Sequence, residues 1–176
     1  VQSAPRVVRI VDPRRGDVLR ELRHERDVVR LLAVPADDLL LTVDTAGDVR
    51  AFALPLDELH ADGPAGPQSW RLGVTTDAAS VSISADGSMA AFEGEYGHIV
   101  VRDVNGELQP LHLRIDRTDR AIETALSPDG TALVTANSGI FRVWRLAQRE
   151  LAGAVPDMEL SAIALDDAGA VAVLGF

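Results

Sequence analysis

Four stretches of this chain are variants of one another, and a fixed internal period restricts the fold more than any total does. They are LLAVPADDLLLTVDTAGDVRAFAL (31–54), VSISADGSMAAFEGEYGHIVVRDV (81–104), TALSPDGTALVTANSGIFRVWRL (124–146) and IALDDAGAVAVLGF (163–176). Each opens on a short apolar strand and reaches a turn (Pro35-Ala36-Asp37-Asp38, Ala85-Asp86-Gly87-Ser88, Pro128-Asp129-Gly130-Thr131, Asp167-Ala168-Gly169-Ala170). Each then re-enters a second apolar strand, the signature of a hairpin. A second turn and a third strand follow in three copies, at 48–54, 98–104 and 140–146. The stretch VVRIVDPRRGDVLREL (7–22) supplies another third strand and, after the Gly16 turn, a fourth.

Gly87 to Gly130 is 43 residues and Gly130 to Gly169 is 39, a period near the 40–45 residues of a four-stranded propeller blade. The step from Asp37 to Gly87 is 50, because the first copy carries the Pro- and Gly-rich loop Pro55 to Ser69. The period predicts an all-β chain, a β-propeller of four-stranded antiparallel blades with three complete blades and two complementary half-blades. The predicted boundaries are a half-blade at 7–23, blades at 28–73, 79–115 and 121–156, and a half-blade at 160–176, forming one propeller segment.

Asp44-Thr45-Ala46-Gly47 matches a string with which GTPases sense a γ-phosphate and its magnesium ion. A GTPase also needs a glycine-rich phosphate cradle ending in lysine. All 17 basic residues here are arginines, so the cradle is excluded and the string is expected to be a plain turn. The net charge of −10 and the scatter of the arginines argue against a nucleic-acid partner. No cysteine is present, which removes disulfides, thiolate metal sites and a cysteine nucleophile. No apolar run reaches the length of a membrane span and no secretion signal is visible, so a soluble, cytoplasmic chain without membrane contact is expected. The arginine-only, alanine- and valine-rich composition fits a GC-rich bacterial genome.

The units resemble WD repeats over almost the whole chain. VRIVDPRRGDVLREL looks like that family's third strand, its Trp-Asp-type dipeptide (here Val11-Asp12) and its fourth strand. ALSPDGTALVTANSGIFRVWRL looks like its SPDG hairpin and tryptophan-bearing strand, with Trp144-Arg145 where Trp-Asp is usual. His24 precedes Pro35 by 11 residues, the spacing the family keeps between its Gly-His histidine and its SPDG proline. The departures are that Arg23 replaces the glycine of Gly-His, and that Ala46 and Ser138 stand where the family places a turn aspartate. The family's His–Ser–Asp–Trp hydrogen-bond network is therefore expected to be absent. Stability should rest on apolar packing between blades, with Ile10, Val49, Phe52, Val101 and Trp144 buried.

The two half-blades complement each other, which leaves three arrangements: a four-bladed ring in one chain, an eight-bladed dimer exchanging half-blades, or a longer polypeptide that supplies the missing blades. The last is favoured, since Val1 is not an initiator methionine and AVAVLGF stops inside an apolar run.

No catalytic, metal or cofactor site is expected. His24, His60, His98 and His112 lack metal-ligand spacing. Glu93 with Glu95 and Asp166 with Asp167 lie at turns, where acids serve geometry. No GxSxG elbow occurs. A propeller enzyme of hydrolase or lactonase type, using the central funnel, is the rival reading. First strands reading VVRLLAV, SVSISA, IETALS and LSAIAL carry one acid, Glu123, too few for such a funnel.

The resemblance implies instead that the strand-two-to-three turns and inter-blade loops share a partner-binding face. That face would hold His24 to Asp27, Asp44 to Asp48, Gly94 to Gly97, Asp116 to Arg120 and Asn137 to Gly139. Arginine and tyrosine are enriched at binding hot spots, so Arg26, Tyr96, Arg117 and Arg120 are the contact candidates. The implied partner is another protein or another domain of the same polypeptide, in a scaffold or sensor part of a signalling protein.

Overall fold

The computed structural model describes residues 6–34, 38–54, 68–106, 108–115, 123–137, 140–148, 150–156, 162–165 and 171–174. The first-copy turn at 35–37, the Pro55–Pro67 part of the long loop, His60, Arg117, Arg120, Ser138 and the Asp166–Ala170 turn lie outside the described residues. The chain divides into two units, Val1–Gly73 and Val74–Phe176.

In the first unit, β1 (Val7–Val11) and β2 (Val18–Arg23) form an antiparallel pair, and β3 (Val28–Val34), β4 (Leu39–Asp44), β5 (Asp48–Ala53) and β6 (Ser69–Val74) form a four-stranded sheet in that order. One core joins the two sheets: Val8 and Leu22 from the pair pack with Val28, Leu40, Phe52 and Leu54 from the four-stranded sheet. Leu41, Val43, Val49 and Ala51 have no exposed surface on the four-stranded sheet. Leu40 with Leu41 on β4 and Ala51 with Phe52 on β5 are buried at consecutive positions, the pattern of a sheet covered on both faces.

In the second unit, β7 (Ser82–Ile83), β8 (Met89–Glu93), β9 (His98–Asp103) and β10 (Leu111–Arg114) form one four-stranded antiparallel sheet. β11 (Glu123–Leu126), β12 (Ala132–Asn137), β13 (Ile140–Arg145) and β14 (Glu150–Pro156) form the next, and β15 (Ala162–Leu165) pairs with β16 (Val171–Leu174). The first strands lie side by side, β7 against β11 and β11 against β15. The Ser82 and Thr124 hydroxyls meet at 2.9 Å between β7 and β11. Ala91, Ile99, Val101 and Leu113 of one sheet interdigitate with Leu126, Leu133, Trp144 and Leu146 of the next. Packing between sheets is thus the main apolar term, each fully buried Val, Leu or Phe contributing about 1.5–3 kcal/mol.

Val49, Phe52, Val101 and Trp144 are buried as their strand positions require. Ile10 is only half-buried, against expectation. Among the described residues β1 pairs with β2 alone, so one flank of Ile10 has no neighbouring strand to cover it.

The two SxDG[ST] turns are built identically. In each, the first serine hydroxyl donates to the aspartate (Ser84 to Asp86 at 2.6 Å, Ser127 to Asp129 at 2.7 Å) and accepts from the N–H five residues on. The same carboxylate oxygen accepts the N–H and hydroxyl of Ser88 or of Thr131. Hydrogen bonds from Ser127 and Thr131 hold the Asp129 carboxyl below the usual carboxylate range. For Asp86 partial burial acts to raise it, and the bonds from Ser84 and Ser88 outweigh that and lower it. The turns are stitched together, since the Asp86 N–H donates to the Pro128 carbonyl at 3.1 Å.

Candidate binding surface

Asp44 builds the turn between β4 and β5. Its carboxylate accepts the N–H of Ala46 at 2.8 Å and of Asp48 at 3.0 Å, and its carbonyl accepts the Gly47 N–H at 2.9 Å. Gly47 sits at φ +78, where a side chain is disfavoured. Every feature of the DTAG string is accounted for by this turn.

Beside it, the chain between β2 and β3 is held by backbone bonds. The His24 N–H donates to the Arg6 carbonyl at 2.8 Å, and the Thr45 N–H donates to the Asp27 carbonyl at 2.9 Å. Arg6 pairs with the Asp27 carboxylate at 3.1 Å. The His24 ring stands edge-on to Phe52, with centroids 5.4 Å apart. Burial first, and the Arg50 guanidinium second, hold His24 below the ordinary imidazole range, so it is neutral at pH 7. Asp48 takes Arg50 at 2.8 Å and Arg71 on its other oxygen. Partial burial would raise the Asp48 carboxyl, and the two arginines reverse that and lower it. Arg26 is exposed on the bend between these anchored points.

The second unit presents a different turn at the corresponding place, Gly94-Glu95-Tyr96-Gly97. The Gly94 N–H donates to the His98 carbonyl at 2.8 Å, and a Cβ on Gly94 would lie 2.9 Å from Val100 Cγ2. Tyr96 adopts φ 63 and ψ 23, the left-handed region that costs an L-residue roughly 1–2 kcal/mol. Its side chain is 75% exposed, so no burial offsets that cost.

The loop preceding β7 braces this turn. The Thr75 hydroxyl and the Ser80 hydroxyl both donate to the Asp77 carbonyl, at 2.8 and 2.7 Å. Ser80 Oγ accepts the Glu93 N–H at 2.9 Å, and the Thr76 N–H donates to the Glu93 carbonyl at 3.0 Å. A strained, exposed aromatic thus stands on a hydrogen-bonded base. At the end of β12, Asn137 is buried and its Oδ1 accepts from Arg142 Nη1 at 3.1 Å.

Of the four contact candidates, Arg26 is exposed in the first unit and Tyr96 in the second, while Arg117 and Arg120 lie outside the described residues. His98 is half-buried and His112 exposed, both on strands. The expected loss of the histidine-to-tryptophan network is corrected in part, because Trp144 Nε1 donates to Thr135 Oγ1 at 3.1 Å inside the third blade. Thr135 is two residues beyond the Leu133 that faces Trp144 in the register, on the same side of the sheet, so the bond needs no histidine. The Asp48–Arg50–Arg71 cluster and the Thr75–Ser80 brace were not anticipated. The i, i+2 spacing of Asp48 and Arg50 on one strand was the available signal for the former.

Four-stranded antiparallel sheets whose first strands lie side by side, with two hairpin turns joined by a backbone bond, define a segment of a β-propeller. Solved structures agree with that class. Hsv2 of Kluyveromyces marxianus, a seven-bladed propeller, superposes with a TM-score of 0.71 over 97% of this chain and 50% of its own, at 13% identity. Hsv2 of Kluyveromyces lactis does so with a TM-score of 0.71 over 97% of this chain and 53% of its own, at 11% identity. The Kluyveromyces lactis protein with its loop 6CD replaced by a Gly-Ser linker gives 0.69, 97% and 54%, at 11% identity. The chain spans about half the length of these propellers, and at such identity the likeness concerns fold alone. No protein-family model and no curated protein sequence matches the chain. Among the described residues no helix is long and apolar enough to cross a membrane.

Proposed function

We propose that this chain is a WD-repeat-like propeller segment whose role is to bind another protein or another domain of its own polypeptide, as the scaffold part of a larger, bacterial signalling protein. Tyr96 carries the reading. Backbone strain persists only where the surroundings enforce it, and strained residues concentrate at ligand clamps and contact sites. An exposed tyrosine has two side-chain torsions to fix and offers a large amphipathic surface, the profile of an interface anchor. Arg26, exposed in the first unit, and Arg117 and Arg120 are the further contact candidates. The role is non-catalytic. Its support is the composition of the first strands, where Glu123 is the sole acid in four stretches that would line a funnel.

Site-specific photo-crosslinking tests this. A photoreactive side chain at position 96, and separately at 26, is expected to give discrete protein adducts in the native host. One at Asn105, an exposed residue of a strand-three-to-four turn, is expected to give none. Equal labelling at all three positions, or none at 96, would remove the case for this face.

A further inference from the structure

We propose that His24 is a pH-sensitive latch: its neutral ring holds the bend between β2 and β3 closed against β5, and its protonation releases that bend. The ring stands edge-on to Phe52 of β5, with centroids 5.4 Å apart. Phe52 belongs to the core formed with Val8, Leu22, Val28, Leu40 and Leu54, so the latch closes on a fixed wall. What it holds is short and exposed, since Glu25 and Arg26 both face solvent.

The sensitivity to pH comes from a missing acceptor. His24 Nε2 is buried and has no hydrogen-bond partner among the described residues. A neutral imidazole can leave one ring nitrogen as a bare lone pair, whereas the imidazolium carries a hydrogen on both. In the closed bend the charged ring would have a buried N–H with nothing to receive it, and a polar group in that position gains by moving out to water.

The charged groups around the ring do not supply the acceptor. Arg50 of β5 opposes a second positive charge, while Asp44 of the β4–β5 turn and Asp48 of β5 favour one. Asp44 Oδ1 already accepts the N–H groups of Ala46 and Asp48, and Asp48 divides its two oxygens between Arg50 and Arg71. On the bend itself Asp27 is paired with Arg6, Arg23 reaches Glu21, and Glu25 acts on Arg50. Burial and Arg50 together outweigh the two aspartates and hold the ring neutral. The bend is therefore fully closed above the ordinary imidazole value of about 6.5 and opens as the pH falls below it. If the open form alone protonates, at that ordinary value, the ratio of open to closed bend rises by up to about tenfold between about pH 7.5 and 5.5. This holds whether or not Arg26, which rides on the bend, touches a partner.

NMR on the full chain tests the latch. The His24 imidazole signal, assigned by its loss in His24→Phe, is expected to titrate below the ordinary value. Amide exchange is read at the two N–H groups that anchor the bend, that of His24 on the Arg6 carbonyl and that of Thr45 on the Asp27 carbonyl. Corrected for the intrinsic effect of pH on exchange, their protection should fall by up to about tenfold over that range. Val104 and Leu146 in the second unit, whose N–H groups donate to the Ser88 and Thr131 carbonyls, should keep theirs. His24→Phe retains an aromatic ring and removes the proton site, so Thr45 protection should no longer vary with pH; His24→Gln is a second non-titrating variant, should phenylalanine crowd Phe52. Four results would overturn the proposal: an imidazole midpoint at or above the ordinary value, constant Thr45 protection in the native chain, a fall that survives both substitutions, or an equal fall at Val104 and Leu146.

Discussion

Thr135→Val isolates the hydrogen bond between Trp144 and Thr135 in the third blade. Valine keeps the shape of threonine and removes the acceptor of the Trp144 Nε1–H, which stands 3.1 Å from Thr135 Oγ1. Thr135 is 1% exposed and Trp144 8%, so water has little access to the orphaned indole N–H. A buried donor left without its partner costs about 1–3 kcal/mol, more than the 0.5–1.5 kcal/mol that the bond contributes net. Thr135→Val should therefore lower stability by about 1–3 kcal/mol, read as a fall in the urea midpoint with an unchanged slope. Trp144→Phe removes the donor too, and adds the loss of indole packing against Leu133 and Leu146, so it should cost more on its own. Combined with Trp144→Phe, Thr135→Val should cost almost nothing further, giving a coupling of about 1–3 kcal/mol in the double-mutant cycle. A midpoint shift below about 0.5 kcal/mol for Thr135→Val, or strict additivity in the cycle, would mean that the bond does not stabilise the blade.

Gly130→Ala places a left-handed alanine (φ +67) with its Cβ 2.7 Å from Met89 Cγ, so strain and overpacking add to about 2–4 kcal/mol of lost stability in the same titration. Gly16→Ala, at φ +75 with open space around it, should lose only the conformational part, about 1–2 kcal/mol. Tyr96→Asn should leave stability equal or higher in the same titration, because asparagine tolerates φ 63. Asp86 and Asp129 have folded carboxyls held below their free range, so the unfolded chain takes up protons first as the pH drops. Their stabilisation is complete above a pH of about 4 and is lost as the pH falls through the lower folded values; Asp129→Asn should flatten that acid limb of the urea midpoint, and an unaltered limb would refute the linkage.

Much of the architecture was legible because strand alternation and turn chemistry are local. Val49, Phe52, Val101 and Trp144 could be placed in the core from their position after a turn, and SADGS and SPDGT announce the same hydrogen-bonded hairpin. Ile10 has the same local pattern, and what leaves it half-buried is that among the described residues β1 pairs with β2 alone, which no local pattern encodes. The Asp48–Arg71 contact joins strands separated by the long loop, so its partner could not be read from spacing. The sequence GEYG signals a turn without saying which residue takes the left-handed place. With Gly97 adjacent and also at φ +72, the strain on Tyr96 becomes visible only in the backbone.

The stitch from the Asp86 N–H to the Pro128 carbonyl uses main-chain atoms alone, and this bears on how such a chain tolerates change. Any residue at 128 presents the same carbonyl, so drift there leaves the stitch intact. Position 86 has the opposite constraint, since a proline there would have no hydrogen to donate. Substitutions can therefore accumulate on the Pro128 side of this junction without breaking the bond. A fold joined in this way outlasts recognisable similarity between its repeats.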